Sequence, residues 1–331
     1  VTVDSGASDK PSSSGPSGIT NPEPPGCIGF GKDTKGGAGG KEVTVTTAAE
    51  LLSAAAAAGP MIITVKGNIL HDVSGGDDNA RIFVSSYKTI QGADSKASVD
   101  ANFAVVEGTH VIFRNLTVSN ETGKGTGDAI EISKGSTHIW VDHVTFGQCK
   151  DGALDFKRES DLATVSWCKF AYTSATHDHN FANLIGHVDG WEADRGKLRV
   201  TMHHNWYADN VIERQPRVRY GQVHVFNNYY GSKRTNYIVG VGVEAQILME
   251  ASYFESQGGQ TWYNWYAPNK CTSACADGKI RWTDDNVFDN TIVSTWAPNS
   301  EVFNPPYEYK HVKQTAAEAK ASVMQRAGVL P

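Results

Sequence analysis

The sequence predicts an all-β chain wound as a parallel β-helix, a solenoid with a helix capping its N-terminal end and long loops on one side. Three observations carry this. Strand-like runs recur through the middle of the chain: VIFRNLTV (111–118), HIWVDHVTF (138–146), ATVSWCKF (163–170), LRVTMHHNWY (198–207), VHVFNNYY (223–230) and AQILMEASYF (245–254). Most steps between them are about 22 to 28 residues, the length of one solenoid coil. No helical segment intervenes, which separates the pattern from an α/β repeat.

Taken in order, the chain opens on a Ser/Pro/Gly-rich stretch, 1–26, expected to be disordered or a linker. The folded part is expected to be a single domain over 27–331. AAELLSAAAAA (48–58) has strong helix propensity and follows Thr46 and Thr47, both competent N-caps, so it is placed as the end cap. The repeated runs follow, with one longer step where 171–196 is inserted. Equal offsets in successive runs should stack. Phe146, Phe170, Tyr207, Tyr230 and Phe254 then form an internal aromatic column, and Asn205 and Asn228 a turn ladder. Residues 258–310, rich in Trp, Tyr, Pro and Asn, read as loops, and 314–327 as a second helix packing back on the body. A leucine-rich repeat lacks its Leu/Asn consensus here, and an antiparallel sandwich lacks its hairpin signals.

Composition narrows the partners. Net charge −6 and a pI near 6.0 argue against nucleic acid, which needs a basic face. No apolar run reaches the length of a membrane span, so no membrane partner is expected. Five cysteines cannot all pair internally, though Cys271 and Cys275 are spaced to close a small disulfide. Secretion as a monomer is the expectation.

Against the acidic average, VIERQPRVRYG (211–221) concentrates Arg214, Arg217 and Arg219 at a strand edge, a set of forks suited to carboxylates. Two to three coils upstream lie Asp128, Asp151 and Asp155. Asp151 and Asp155 are four apart, on one face of an extended segment, and Asp128 precedes Asp151 by about one coil. Three carboxylates without Cys or His form a hard-oxygen set fit for Ca²⁺. The plainer alternative pairs them with Lys134, Lys150, Lys157 or Arg158. A metal edge beside a guanidinium edge suits an acidic polymer, because local field and a bridging cation outweigh net charge.

The strings DAIEI, IWVDHVTF, DGALDFKRESDLATVSW, LIGHVD, RVTMHHNWY and RQPRVRYGQVHVFNNYY, from about Asn102 to Phe254, resemble the polysaccharide lyase family 1 pectate lyases. The resemblance implies a right-handed parallel β-helix and β-elimination on polygalacturonate or pectin. It matches Asp128, Asp151 and Asp155 to calcium ligands, Arg214 to the base that takes the C5 proton, and Arg219 to a substrate-carboxylate clamp. Arg217 matches an arginine of many members, and His143 a structural position. A guanidinium is a base only when neutral, so an alkaline optimum is expected. One departure is plain: Phe181 stands where the family carries a lysine that contacts substrate. His179, Asn180 or Lys157 could replace that contact, or the subsite could accept methyl-esterified galacturonate. Two rival functions remain at this level, a polygalacturonase-type hydrolase and a non-catalytic pectate-binding β-helix.

Overall fold

The computed structural model describes residues 26–73, 80–255, 261–265, 271, 275–291 and 299–331. The stretch 1–26 expected to be a linker therefore lies outside the described residues except for Gly26. Where it is described, the segment 258–310, expected as loops, instead contributes the strands Thr261–Trp265, Lys279–Trp282 and Val287–Asp289, one to each sheet, because their backbones continue the ladders of the preceding coil.

Strands pair in parallel throughout, and each pairs with strands about one coil away. They form three sheets of ten, eight and nine strands. The chain visits the sheets in turn and winds a right-handed parallel β-helix. Each sequence run proves to be two short strands around a corner. Thr109–Arg114 lies in the ten-stranded sheet and Thr117–Asn120 in the nine-stranded one, with Asn115 turning between them at φ 48°. His143, Trp167, His204, Asn227 and Ala251 turn the same corner in later coils at φ 42–55°.

That corner is held by the expected ladder. The backbone N–H of Cys168 donates to Asn205 Oδ1 at 2.9 Å, that of Asn205 to Asn228 Oδ1 at 2.7 Å, and that of Asn228 to Ser252 Oγ at 3.2 Å. Each amide also donates back across the corner, Asn205 to the Val165 carbonyl and Asn228 to that of Met202. These buried backbone donors would otherwise be orphaned. The aromatic column is equally continuous. Phe146, Phe170, Tyr207, Tyr230 and Phe254 stack face to face with centroids 4.5–4.9 Å apart, all fully inside.

Ala48–Ala56 caps the end, with Thr47 and Glu50 closing a capping box and Leu51 and Ala55 buried on the first coils. Ala316–Arg326, started by Thr315 and Glu318 in the same way, lies against the nine-stranded sheet. Val323 packs beside Trp167 and Tyr229, and Arg326 sits over the Trp167 ring. Cys271 and Cys275 form the expected disulfide, whereas Cys27, Cys149 and Cys168 are free.

Candidate active site

The eight-stranded sheet carries the charged residues singled out in the sequence. Its outward side chains line up by register. Glu131 pairs with Asp155, and Leu184, whose N–H donates to Asp155 Oδ1, pairs with Arg217. The row one strand period further on holds Lys157, Gly186 and Arg219. Towards the strand starts, Gly152, Phe181 and Glu213 are bridged in parallel, and the Gly152 N–H donates to Asp128 Oδ1 at 3.1 Å. Acids and arginines thus face the same side of one sheet in consecutive coils.

Asp128 and Asp155 are buried, and Asp151 stands at the mouth with its side chain 43% exposed. The Lys157 ammonium lies among the acids, 3.0 Å from Asp128 Oδ2, 3.4 Å from Asp155 Oδ2 and 3.7 Å from Glu131 Oε2. Burial, then the charge of Asp155, pushes the Asp128 carboxyl up to about 7 against the pull of Lys157. Burial and the Asp128 charge likewise raise Asp151, and burial raises Asp155. Glu131 goes the other way: burial would raise it, but Lys157 and Arg81 hold it below the usual range. One lysine therefore leaves the acid group short of positive charge. Among the described residues no three His, Cys, Asp or Glu side chains lie close enough together to hold a metal ion. Asp151 Oδ1 is nevertheless buried with no hydrogen-bond partner, though Arg214 Nη1 lies 3.7 Å away.

Arg214 has a left-handed backbone, φ 61°, and its carbonyl accepts from the Asn183 N–H. Its guanidinium carbon lies 4.2 Å from the Phe181 ring centroid. Phe181 is itself buried, its carbonyl accepting from Tyr172 Oη. The ring thus supports the arginine from below, a contact worth about 0.5–2 kcal/mol. Arg219 Nε bonds Asp189 Oδ1 at 2.6 Å, and burial followed by Arg217 lowers the Arg219 guanidinium against the pull of Asp189. Gly186 makes the close approach possible, because a Cβ there would lie 2.7 Å from Arg219 Cβ. Arg217 lies over Gly240 in the same fashion.

The remaining candidates separate. Asn180 is buried and satisfied, accepting from Gln148 Nε2 and donating to the Ser174 carbonyl. His179 sits on the rim, its ring 4.9 Å from that of Phe181. Lys157 is engaged by carboxylates as described. Glu131 and Asp189 join the site without having been expected there. The signal for Glu131 is present in the sequence, since aligning DAIEIS with GALDFK sets it opposite Asp155. Asp189 is placed only by the turn after Gly186.

A family model described as pectate lyase matches residues 26–330. The chain belongs to the pectate lyase family. Among curated relatives, the pectate trisaccharide-lyase of Thermotoga sp. (strain RQ2) is 37% identical over 205 residues, covering 60% of this chain and 53% of that protein. Pectate lyase plyB of Emericella nidulans is 37% identical over 236 residues, 67% and 66% of the two chains. The chain thus spans about half the length of the Thermotoga relatives it matches. The solved pectate lyase of Bacillus sp. N165, in complex with trigalacturonate, superposes with a TM-score of 0.74 at 26% identity over 92% of this chain and 99% of that one. In this pectate lyase family member, Asp128, Asp151, Asp155 and Arg214 all sit along the eight-stranded sheet, two of the acids buried and Asp151 at the mouth.

Proposed function

We propose that the chain is a secreted, calcium-dependent lyase that cleaves α-1,4-polygalacturonate by β-elimination. One observation carries the reading: Asp128 and Asp155 share the Lys157 ammonium on the sheet where Arg214 Nη1 lies 3.7 Å from Asp151 Oδ1. The donor set fits calcium: its ligands are all carboxylate, their protons are held too tightly for separate surface acids, and one oxygen lacks a partner. Asp128, Asp151 and Asp155 would hold the ion, with Lys157 yielding part of its place. Bound there, the ion supplies Lewis-acid withdrawal from a uronate carboxylate.

The chain's own residues do the rest. Arg219, fixed by Asp189, binds a neighbouring carboxylate and sets the register of the polymer. Arg214, supported by Phe181, accepts the C5 proton. The electrons of the C5–H bond form the C4–C5 double bond, and the C4–O bond breaks. The leaving oxygen takes a proton from water, so one fragment ends in a free hydroxyl and the other in a 4,5-unsaturated uronate. The base must be a neutral guanidinium, so the rate rises towards alkaline pH. Tolerance of methyl esters is the finer reading. With Phe181 in place of a lysine, one attraction for a free carboxylate is gone, and faster cleavage of demethylated than of methylated pectin would count against tolerance.

The test is ultraviolet absorbance of unsaturated ends from polygalacturonate, with calcium, after chelation, and after calcium is restored. Activity lost and regained supports the proposal. Cleavage that persists in chelator and yields saturated ends points to a hydrolase, and binding without cleavage to an adhesion module.

A further inference from the structure

Beyond the row of Lys157, Gly186 and Arg219, the chain turns out of the sheet into the segment 187–197, which returns to the body through a short helical turn, Glu192–Asp194. Two unusual side chains meet there. Trp191 keeps 37% of its surface exposed, uncommon for a tryptophan with three neighbours. Its Nε1 donates to Glu159 Oε1 at 3.2 Å, the His187 ring meets it edge-on at 5.6 Å, and the Arg158 guanidinium carbon is 5.6 Å from its centroid. The indole is therefore held in place while much of it faces solvent.

Arg158 is the second. Its Nη2 reaches His187 Nε2 at 3.3 Å, and its Nε has no hydrogen-bond partner. Among the described residues no carboxylate pairs with it, although Glu159 is its neighbour in sequence. His187 cannot supply the missing negative charge. Burial first, then Arg158, Lys157 and Arg219, holds its imidazole below the usual range, so it stays neutral. The corner also holds acids, Glu159 on the indole and Asp194 beneath the His187 N–H, yet the Arg158 guanidinium stays without a carboxylate partner. The corner is continuous with the groove. Arg158 follows Lys157 directly, His187 follows Gly186, and Asp189 of the same segment holds Arg219.

An exposed, fixed indole beside an unpaired guanidinium matches a ligand with a flat apolar face and a carboxylate on its edge. A uronic acid ring has both. We propose that Trp191 and Arg158 form an outer uronate subsite: the indole stacks on the apolar face of a galacturonate ring, and the guanidinium takes its carboxylate. This rests on the reading of the groove as a galacturonan site and extends it by one ring, towards longer chains.

The experiment compares KM and kcat on purified galacturonate trimer and octamer for the wild-type chain and for Trp191→Ala, Trp191→Phe and Arg158→Gln. Trp191→Ala and Arg158→Gln are each expected to raise KM for the octamer about tenfold, roughly 1.4 kcal/mol, with the trimer shifted far less. Trp191→Phe, which keeps an aromatic face, recovers most of the octamer affinity. Two results overturn the subsite while leaving the lyase reading intact. One is an octamer KM unchanged in both variants. The other is an equal rise for trimer and octamer, which marks a structural effect passed through Asp189 to Arg219. A wild-type chain that neither binds nor cleaves either oligomer overturns the subsite and the lyase reading together.

Discussion

Arg214 shows how much one residue's surroundings decide. Its motif position suggests a base, but its guanidinium is oriented by two contacts, Asp151 at the groove mouth and the Phe181 ring beneath. Arg214→Ala is expected to lower turnover on polygalacturonate by about 10²–10⁴, the usual weight of general base catalysis, while retained polymer is seen by affinity electrophoresis. Phe181→Leu keeps the apolar volume but removes the aromatic face. We expect kcat to fall about three- to tenfold with KM little changed, because the loss lies in aiming the arginine. Steady-state kinetics on the two variants check both. At this scale the sequence was informative about identity and silent about partners. Phe181 stood out as a missing lysine, yet nothing in HDHNFANLIG says that the ring lies under Arg214 from the next coil. Lys157 likewise read as one of several cations near the acids or as a substrate contact, whereas three carboxylates from two adjacent coils surround it.

At the scale of the element, the corner between the ten- and nine-stranded sheets holds the coils in step. Asn228 accepts from the Asn205 N–H and donates to the Met202 carbonyl, both buried. Asn228→Ala leaves two buried backbone groups without partners, at about 1–3 kcal/mol each. Urea unfolding should show a lowered midpoint with an unchanged slope. These corners were legible because one residue type at one offset in successive runs has few physical explanations. So was the aromatic column, whose members recur at the ends of the runs and stack as neighbours. The eight-stranded sheet was harder to see. Several of its strands are two or three residues long, Leu184–Ile185 and Arg217–Val218 among them, too short for an alternation to register. Little of it beyond the extended segment around Asp151 and Asp155 was expected, so the sheet that carries the site was the one least visible in advance.

Over the whole molecule, the burial of histidine governs stability towards acid. His203 and His204 are buried on the outer side of the ten-stranded sheet and its corner, covered by Phe226 and Gln314. Burial, then the His204 and His224 charges, holds His203 far below the usual range, and burial lowers His204 to about 3. The unfolded chain binds these protons near pH 6.5 and the folded chain does not. Stability is therefore full above about pH 6.5 and declines as pH falls towards 3, by up to ~1.4 kcal/mol per pH unit for each histidine. Glu250 adds to this. Although burial would raise it, His224, Tyr309 and Lys313 hold its carboxyl down to about 2, so its contribution is lost between roughly pH 4.5 and 2. Thermal melts across pH 3–8 should show a falling Tm below about 6.5, with a shallower fall in His204→Gln.

The solenoid also shows how an acidic chain would hold the acidic polymer proposed as its substrate. Stacked coils place Asp155, Lys157, Arg217 and Arg219 along one continuous face, so local charge is set by register and not by composition. The most direct test of that function is mass spectrometry of the products released from saturated polygalacturonate in the presence of calcium. β-Elimination requires oligomers one water lighter than their saturated counterparts, with the unsaturated ring at the new non-reducing end. Products of full hydrated mass, or no products from a chain that still binds the polymer, would contradict it.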